Sequence, residues 1–246
     1  MRVLVHGAAG HMGRHVMRLA NEGYAGASLG AAVDAFANGQ DGIVTCFSEA
    51  ADADVIVDFS HHSAVAGVLD YAVEKKLPVI VATTGCTEAE KLAIVEAAKQ
   101  VPVFFSANMS VGVALLCSLA RQTAAVFPDA DIEIVETHHV RKLDAPSGTA
   151  LMIADAIRAA RPEAVNHCGR SGMTKREKNE IGIAAIRRGN IPGIHEVIVS
   201  TSTQAITLKH EVYDRALFAE GALEELRPMV PEVTYASLRS ISSTDP

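Results

Sequence analysis

Arg2-Val3-Leu4-Val5-His6-Gly7-Ala8-Ala9-Gly10-His11-Met12-Gly13 opens the chain with an apolar run that breaks into three glycines. After it, Met12, Val16, Leu19 and Ala20 recur at helical spacing. Strand, glycine turn and helix follow one another without a gap. Such a turn lets backbone N–H groups approach a pyrophosphate closely, and the helix start behind it adds partial positive charge. Taken alone, the same spacing also suits an ordinary tight turn. Asp34 adds a second feature. It ends the next apolar run, Ser28–Val33, about 20 residues beyond the last glycine, where a dinucleotide fold places the carboxylate that accepts from ribose hydroxyls.

Outward from this point the pattern repeats. Asp54–Phe59, Pro78–Ala82 and Pro102–Phe105 read as further strands, alternating with helices over about Ser63–Lys76 and from Thr87-Glu88-Ala89-Glu90 onward. The second of these helices opens with a capping-box pattern. Near-continuous apolar strands between helices predict a parallel sheet covered on both faces. The rhythm changes after residue 110. A long helix over Val111–Phe127, a strand over Asp131–Thr137 and a helix over Thr149–Ala160 precede Cys168–Asn179, a Gly-, Lys- and Arg-rich stretch read as a mobile loop. Strands follow at Gly182–Arg187, His195–Thr201 and Ala205–Val212, then a helix over Arg215–Leu226 and a polar tail. The fold class expected is α/β, a Rossmann-type doubly wound parallel sheet with a second, smaller α+β domain. Residues 1–110 would bind a dinucleotide, 111–212 would bind substrate and mediate oligomerisation, and 213–246 would return to the first domain.

Composition narrows the partners. The chain has 246 residues, with 22 Lys+Arg against 29 Asp+Glu, a net charge of −7, and an aromatic content of only 4% without Trp. An acidic chain so poor in stacking side chains is not expected to bind nucleic acid. No apolar run approaches membrane-spanning length and no basic-then-apolar leader opens the sequence, so a cytoplasmic protein without membrane contact is expected. The four cysteines, Cys46, Cys86, Cys117 and Cys168, are too dispersed for a zinc site or a disulfide scaffold.

The candidate cofactor-binding residues are Gly7, Ala8, Ala9, Gly10, His11, Met12 and Asp34, joined by Ala82, Thr83 and Thr84 and by Ser106, Ala107, Asn108 and Met109. The last two groups follow strands on the edge where open sheets bind ligands, although ordinary βα loops would look alike. No base adjoins Asp34 to pair with a 2′-phosphate, which predicts NADH as the preferred cofactor with NADPH as the alternative.

The densest chemistry lies in Glu136-Thr137-His138-His139-Val140-Arg141-Lys142-Leu143-Asp144-Ala145-Pro146-Ser147-Gly148-Thr149. Two His, an Arg and a Lys within five residues create a local positive field suited to a small anion, and His and Lys suit proton transfer beside a hydride transfer. Ser147-Gly148-Thr149 opens a helix whose N–H groups could take a carboxylate. A solvated basic face and a simple Ser N-cap are the competing readings. No metal site is expected, because adjacent strand residues point to opposite faces.

From Glu136 to Ala150 the sequence matches E-x-H-H-x-x-K-x-D-A-P-S-G-T-A, and it closely resembles the bacterial dihydrodipicolinate reductases, also called 4-hydroxy-tetrahydrodipicolinate reductases, of the diaminopimelate route to lysine. The glycine turn, Ala82–Gly85, Ser106–Gly112, Gly169–Gly172 and Glu180–Gly182 carry the likeness over nearly the whole chain. The resemblance implies reduction of a small cyclic dicarboxylate by NAD(P)H. His138 would be proton donor and acceptor, and Lys142 proton donor. His139, Ser147, Gly148 and Thr149 would bind substrate. It further implies a homotetramer formed through the second domain's sheet, a hinge that closes on ligand, and a lid at Cys168–Asn179. His11, Ala82 and Met109 depart from the Arg or Lys, the Gly and the aromatic residue frequent at those places. The rival readings are another NAD-dependent amino- or keto-acid dehydrogenase and a non-catalytic NAD-sensing protein.

Overall fold

Val3, Leu4 and Val5 are completely buried, as a strand must be when helices cover both of its faces. In the computed structural model, which describes residues 1–226, they form β1 (Arg2–His6), an inner strand of a parallel five-stranded sheet. With β2 (Ser28–Val33), β3 (Val55–Asp58), β4 (Val79–Val81) and β5 (Val103–Phe105), the order is β2-β1-β3-β4-β5. The crossovers are α1 (His11–Asn21), α2 (Val65–Lys75) and α3 (Glu88–Ala97). Strand periodicity sorts the core into two layers. Val3, Val5, Val55, Val57 and Ile80 pack with Val16 and Leu19 of α1, while Leu4, Ile56, Val79 and Val81 pack with Val68 and Leu69 of α2 and Ile94 of α3. The expected capping box is formed: Thr87 accepts from the Glu90 N–H and the Glu90 carboxylate accepts from the Thr87 N–H.

The chain divides into two compact units, Met1–Ser110 with the described part of Arg215–Pro246, and Val111–Asp214. The last helix, α6 (Ala216–Glu224), therefore belongs with the first sheet, where Ala219, Ala222 and Leu223 join the layer under α1. Tyr24 Oη donates to the Glu224 carboxylate across 2.9 Å, and Gly221 lies so close to the Met109 carbonyl that a Cβ would overlap it. The polar tail expected after Leu226 lies outside the described residues.

The second unit contains α4 (Val111–Val126), β6 (Asp131–His138), α5 (Gly148–Ala160), β7 (Val165–Cys168), β8 (Glu180–Arg187), β9 (Gly193–Ser200) and β10 (Ala205–Val212). Its mixed sheet has the order β10-β9-β6-β8-β7, with β8 parallel to β6 and β7, and β9 antiparallel to β6 and β10. Ile132, Ile134, Ile181, Ile183, Val197 and Val199 fill one face against Leu116 and Ala120 of α4 and Ile153 and Ile157 of α5. The other face carries Glu133, Val135, Ile186, Glu196 and Ile198.

Two features of this unit carry no apolar signal in the sequence. β7 was not expected, because an edge strand whose Val165 is more than half exposed has no apolar period to reveal it. The segment Cys168–Asn179 begins inside that strand and is tied down by ion pairs. Arg176 bonds the Asp131 and Glu133 carboxylates and the Ile132 and Glu180 carbonyls, and Arg170 meets Glu180 at 2.6 Å. Arg170 and Arg176 thus serve as anchors, which accounts for the missing apolar pattern.

Candidate active site

Gly7 has φ +78°, and a Cβ there would come within 2.7 Å of the Phe59 carbonyl; at Gly13 a Cβ would overlap the Gly7 carbonyl. Only glycine allows this turn, in which the Gly7 and Ala8 N–H groups donate to the Val33 carbonyl. Gly10 caps α1 with no side-chain acceptor, and no acidic residue occupies the helix's first turn, so its partial positive charge is not neutralised locally. Asp34, directly after β2, is buried, and its carboxylate accepts from the Ala9 N–H at 3.0 Å and the Phe36 N–H at 2.9 Å. A carboxylate has about four acceptor sites, so Asp34 can brace the turn and still take a ribose hydroxyl. The residues present therefore fit a dinucleotide. Ala8 is buried, Met12 is half-buried, and exposed His11 meets the His15 ring edge-on at 4.9 Å.

The two later loops also lie at the ends of strands in this sheet. Ala82 and Thr83 are buried, and the Thr83 hydroxyl donates to Asp58 at 2.8 Å, leaving its backbone and the exposed Thr84 for any ligand. Ser106 Oγ donates to the Asn108 carbonyl at 2.7 Å, and Asn108 Oδ1 accepts from the Ser110 N–H at 2.9 Å, so Ser106, Ala107 and Asn108 form a pinned turn. Met109 points into the core and offers no stacking surface. Beneath these loops lies a brace that no motif announces. Asp58 is fully buried and meets His6 Nδ1 at 2.8 Å, the Ser60 N–H at 3.1 Å and Thr83, joining the ends of β1, β3 and β4. Its signal was an acidic residue inside the apolar run Val55–Phe59.

In the second unit, His138 closes β6 with Nδ1 2.6 Å from Glu136 Oε2. Glu136 is wholly buried yet receives an Arg187 fork, with Nη1 to Oε2 and Nη2 to Oε1, each at 2.8 Å, and the Ser147 N–H at 3.0 Å. Burial acts to raise its pKa, but Arg187, His138 and the Ser147 N–H outweigh it and hold the carboxyl below its usual range. Burial lowers the pKa of His138, with Lys142 and Arg187 pushing the same way against Glu136. His138 also faces His195 of β9, ring centres 5.2 Å apart. Burial, with the His138 charge next, pushes His195 down to about 4.

Downstream, the His139 N–H donates to the Ile191 carbonyl, and Lys142 Nζ pairs with Asp144 at 2.8 Å. The peptide before Pro146 is cis. Ser147 caps α5 by accepting from the Ala150 N–H at 3.2 Å, and its buried hydroxyl meets His195 Nε2 at 3.1 Å. Its side chain is thus committed to the scaffold, while exposed Gly148 and half-buried Thr149 form the first turn of α5. The Asp144 carboxyl, which burial would raise, is lowered by Lys142 and then by the Gly148 N–H; a carboxylate already sits at this helix start. His138, Lys142, Ser147, Gly148 and Thr149 thus share one end of this unit. Glu136, Arg187 and His195 were missed as working residues. The signal for Glu136 was its two-residue spacing from His138 on a strand. Arg187 and His195 reach the site only through register with β8 and β9.

Known proteins share both units. Sequence models of dihydrodipicolinate reductase match residues 1–109 for its N-terminal part and 112–237 for its C-terminal part. A 4-hydroxy-tetrahydrodipicolinate reductase of Caldanaerobacter subterraneus subsp. tengcongensis is 42% identical over 234 residues, 94% of this chain and 93% of that protein. A protein of the same name from Clostridium novyi is 40% identical over 231 residues, 91% of this chain and 90% of its own. The solved dipicolinate-bound dihydrodipicolinate reductase from Paenisporosarcina sp. TG-14 superposes with a TM-score of 0.78 at 23% identity, covering 93% of this chain and 94% of that one, and so shares the fold. An aspartate dehydrogenase from Thermotoga maritima is more distant, with a TM-score of 0.53 at 16% identity over 96% of this chain and 99% of that one. With both halves matched and relatives at 40% identity or more along nearly its full length, the chain belongs to the dihydrodipicolinate reductase family.

Proposed function

We propose that the protein reduces 4-hydroxy-tetrahydrodipicolinate with a nicotinamide dinucleotide, in the diaminopimelate route to lysine. The observation that carries this reading is the buried Glu136–His138 pair beside Lys142 and the first turn of α5, a proton-handling group next to an anion-binding helix start. When bound, the reduced nicotinamide would supply a hydride; the 4-hydroxyl leaves as water, a ring carbon beside the hydride acceptor is protonated, and one proton is consumed net. His138 takes up and delivers that proton at Nε2, since Nδ1 is engaged by Glu136. Lys142 is the second proton donor and, once Asp144 yields, a cation for the ligand. The Gly148 and Thr149 N–H groups and His139 hold the two carboxylates, and Ser147 contributes the cap that fixes the helix start.

The glycine turn with Ala8, Ala9, His11 and Met12 cradles the pyrophosphate, and Asp34 takes the adenosine ribose. Thr84, the Ala82–Thr83 backbone and Ser106–Asn108 line the approach of the nicotinamide half. Asp34 favours NADH over NADPH, because a 2′-phosphate would face a carboxylate. A homotetramer joined through the face of the second sheet that carries Glu133, Val135, Ile186, Glu196 and Ile198, and a cytoplasmic location, complete the reading. No helix among the described residues is long and apolar enough to cross a membrane. The test is nucleotide oxidation by purified protein with freshly generated substrate, using NADH and NADPH in turn and oxaloacetate with ammonia as control. Turnover only on the cyclic substrate, with the lower KM for NADH, is expected; turnover only on the control overturns the reading.

A further inference from the structure

Arg187 has no part in the proton transfer or the ligand contacts above, and Glu136 touches no ligand there, yet together they form a largely buried ion pair beside His138. A carboxylate without solvent exposure is costly unless fully paired, and such pairs add little net stability, so their retention is better explained by the geometry they impose. Here that geometry is specific. Arg187 fills Glu136 with a two-point fork, the Ser147 N–H occupies Oε1, and Oε2 is left facing His138 Nδ1 at 2.6 Å. Against an ionised carboxylate at that distance, Nδ1 must carry the hydrogen; the opposite tautomer would set two lone pairs against each other. Nε2 then keeps the exchangeable position. It lies over the backbone of Gly193 on β9, where a Cβ would come within 3.2 Å of it.

We propose that Arg187 and Glu136 are positioning residues for the proton-transfer step, fixing His138 as the Nδ1–H tautomer with Nε2 held over Gly193. The inference rests on His138 being the proton-handling residue of the proposed function. One carboxylate also anchors both halves of the chemistry, because Glu136 holds the His138 ring with Oε2 and the backbone of the α5 cap with Oε1. The charged and titratable groups facing His138 are Glu136 on its own strand, Arg187 on β8, His195 on β9 and Lys142 on the following segment. Removing the Glu136 charge takes away the one group among them that favours imidazolium. The limb of kcat/KM that falls as His138 loses its proton then moves to lower pH.

The direct readout is the 15N chemical shift of His138 in the wild-type protein near pH 7.5, assigned by its loss in His138→Gln. A protonated Nδ1 with an unprotonated Nε2 is expected, and in Glu136→Gln a mixture of tautomers. Glu136→Gln should lower kcat on the order of 10²-fold with KM for NADH within about twofold, and shift the pH limb down. Arg187→Lys, which keeps the charge but loses the fork, should retain more activity than Arg187→Met. A wild-type Nε2–H tautomer overturns the proposal, as does Glu136→Gln with unchanged kcat and limb. If Glu136→Gln does not fold, the wild-type tautomer and the Arg187 pair decide. The tautomer is read without turnover, so an inactive wild type with Nδ1–H would refute the proposed function and leave the positioning of His138 standing.

Discussion

His195 shows what burial does to a single imidazole. With a folded pKa of about 4 against 6.5 in the unfolded chain, it stays neutral when folded while the unfolded chain takes up a proton. Stability from the neutral form is complete above about pH 6.5 and is lost as pH falls toward 4, an effect of about 3 kcal/mol. Urea denaturation at pH 7.5 and pH 5 should therefore show a clear loss for wild type and a smaller one for His195→Asn; equal losses would refute the assignment. Asp34 carries the other prediction at this scale. Asp34→Ser should raise KM for NADH more than for NADPH, because the variant loses the ribose acceptor and also the charge that opposes a 2′-phosphate. A uniform change in both constants would count against Asp34 as the discriminating residue. Both residues stood out differently in the sequence. Asp34 was legible from its distance to the glycines, whereas His195 sits in an apolar run and gains its meaning only opposite Glu136.

At the scale of elements, local rules account for most of what was foreseen. Apolar runs mark β1 to β5, and Thr87 with Glu90 marks the start of α3, because these signals lie within a few residues of each other. Thr87→Ala should cost about 1 kcal/mol in stability, read as a lower Tm, without changing kcat. β7 escaped because its pairing partner, β8, lies beyond a charged segment whose Arg170 and Arg176 act through tertiary ion pairs. The site was half legible for the same reason. His138, Lys142 and the α5 cap are contiguous in sequence, while Arg187 comes from another strand. Asp144 belongs to this scale too, since it occupies Lys142 and the helix start. Asp144→Asn should lower KM for the cyclic substrate severalfold by freeing Lys142 and the helix N–H groups for the ligand carboxylates; a raised KM would show that Asp144 organises the turn instead.

For the whole molecule, the net charge of −7 is a global figure with a local exception at His138–Lys142, and that exception marks where a small dianion would be held. The two layers of the first core and the single covered face of the second sheet follow from strand periodicity. The strand orders do not, because order depends on packing between segments far apart in sequence. The proposed tetramer is tested on the sheet face opposite α4 and α5, where Ile198→Asp should reduce the sedimenting mass below that of a tetramer. The central claim concerns chemistry, and the most direct measurement compares kcat of wild type and His138→Ala on freshly generated 4-hydroxy-tetrahydrodipicolinate at saturating NADH. Turnover by the wild type and a loss of roughly 10²–10⁴-fold in the variant are expected. An inactive wild type, or equal rates for the two, would contradict it.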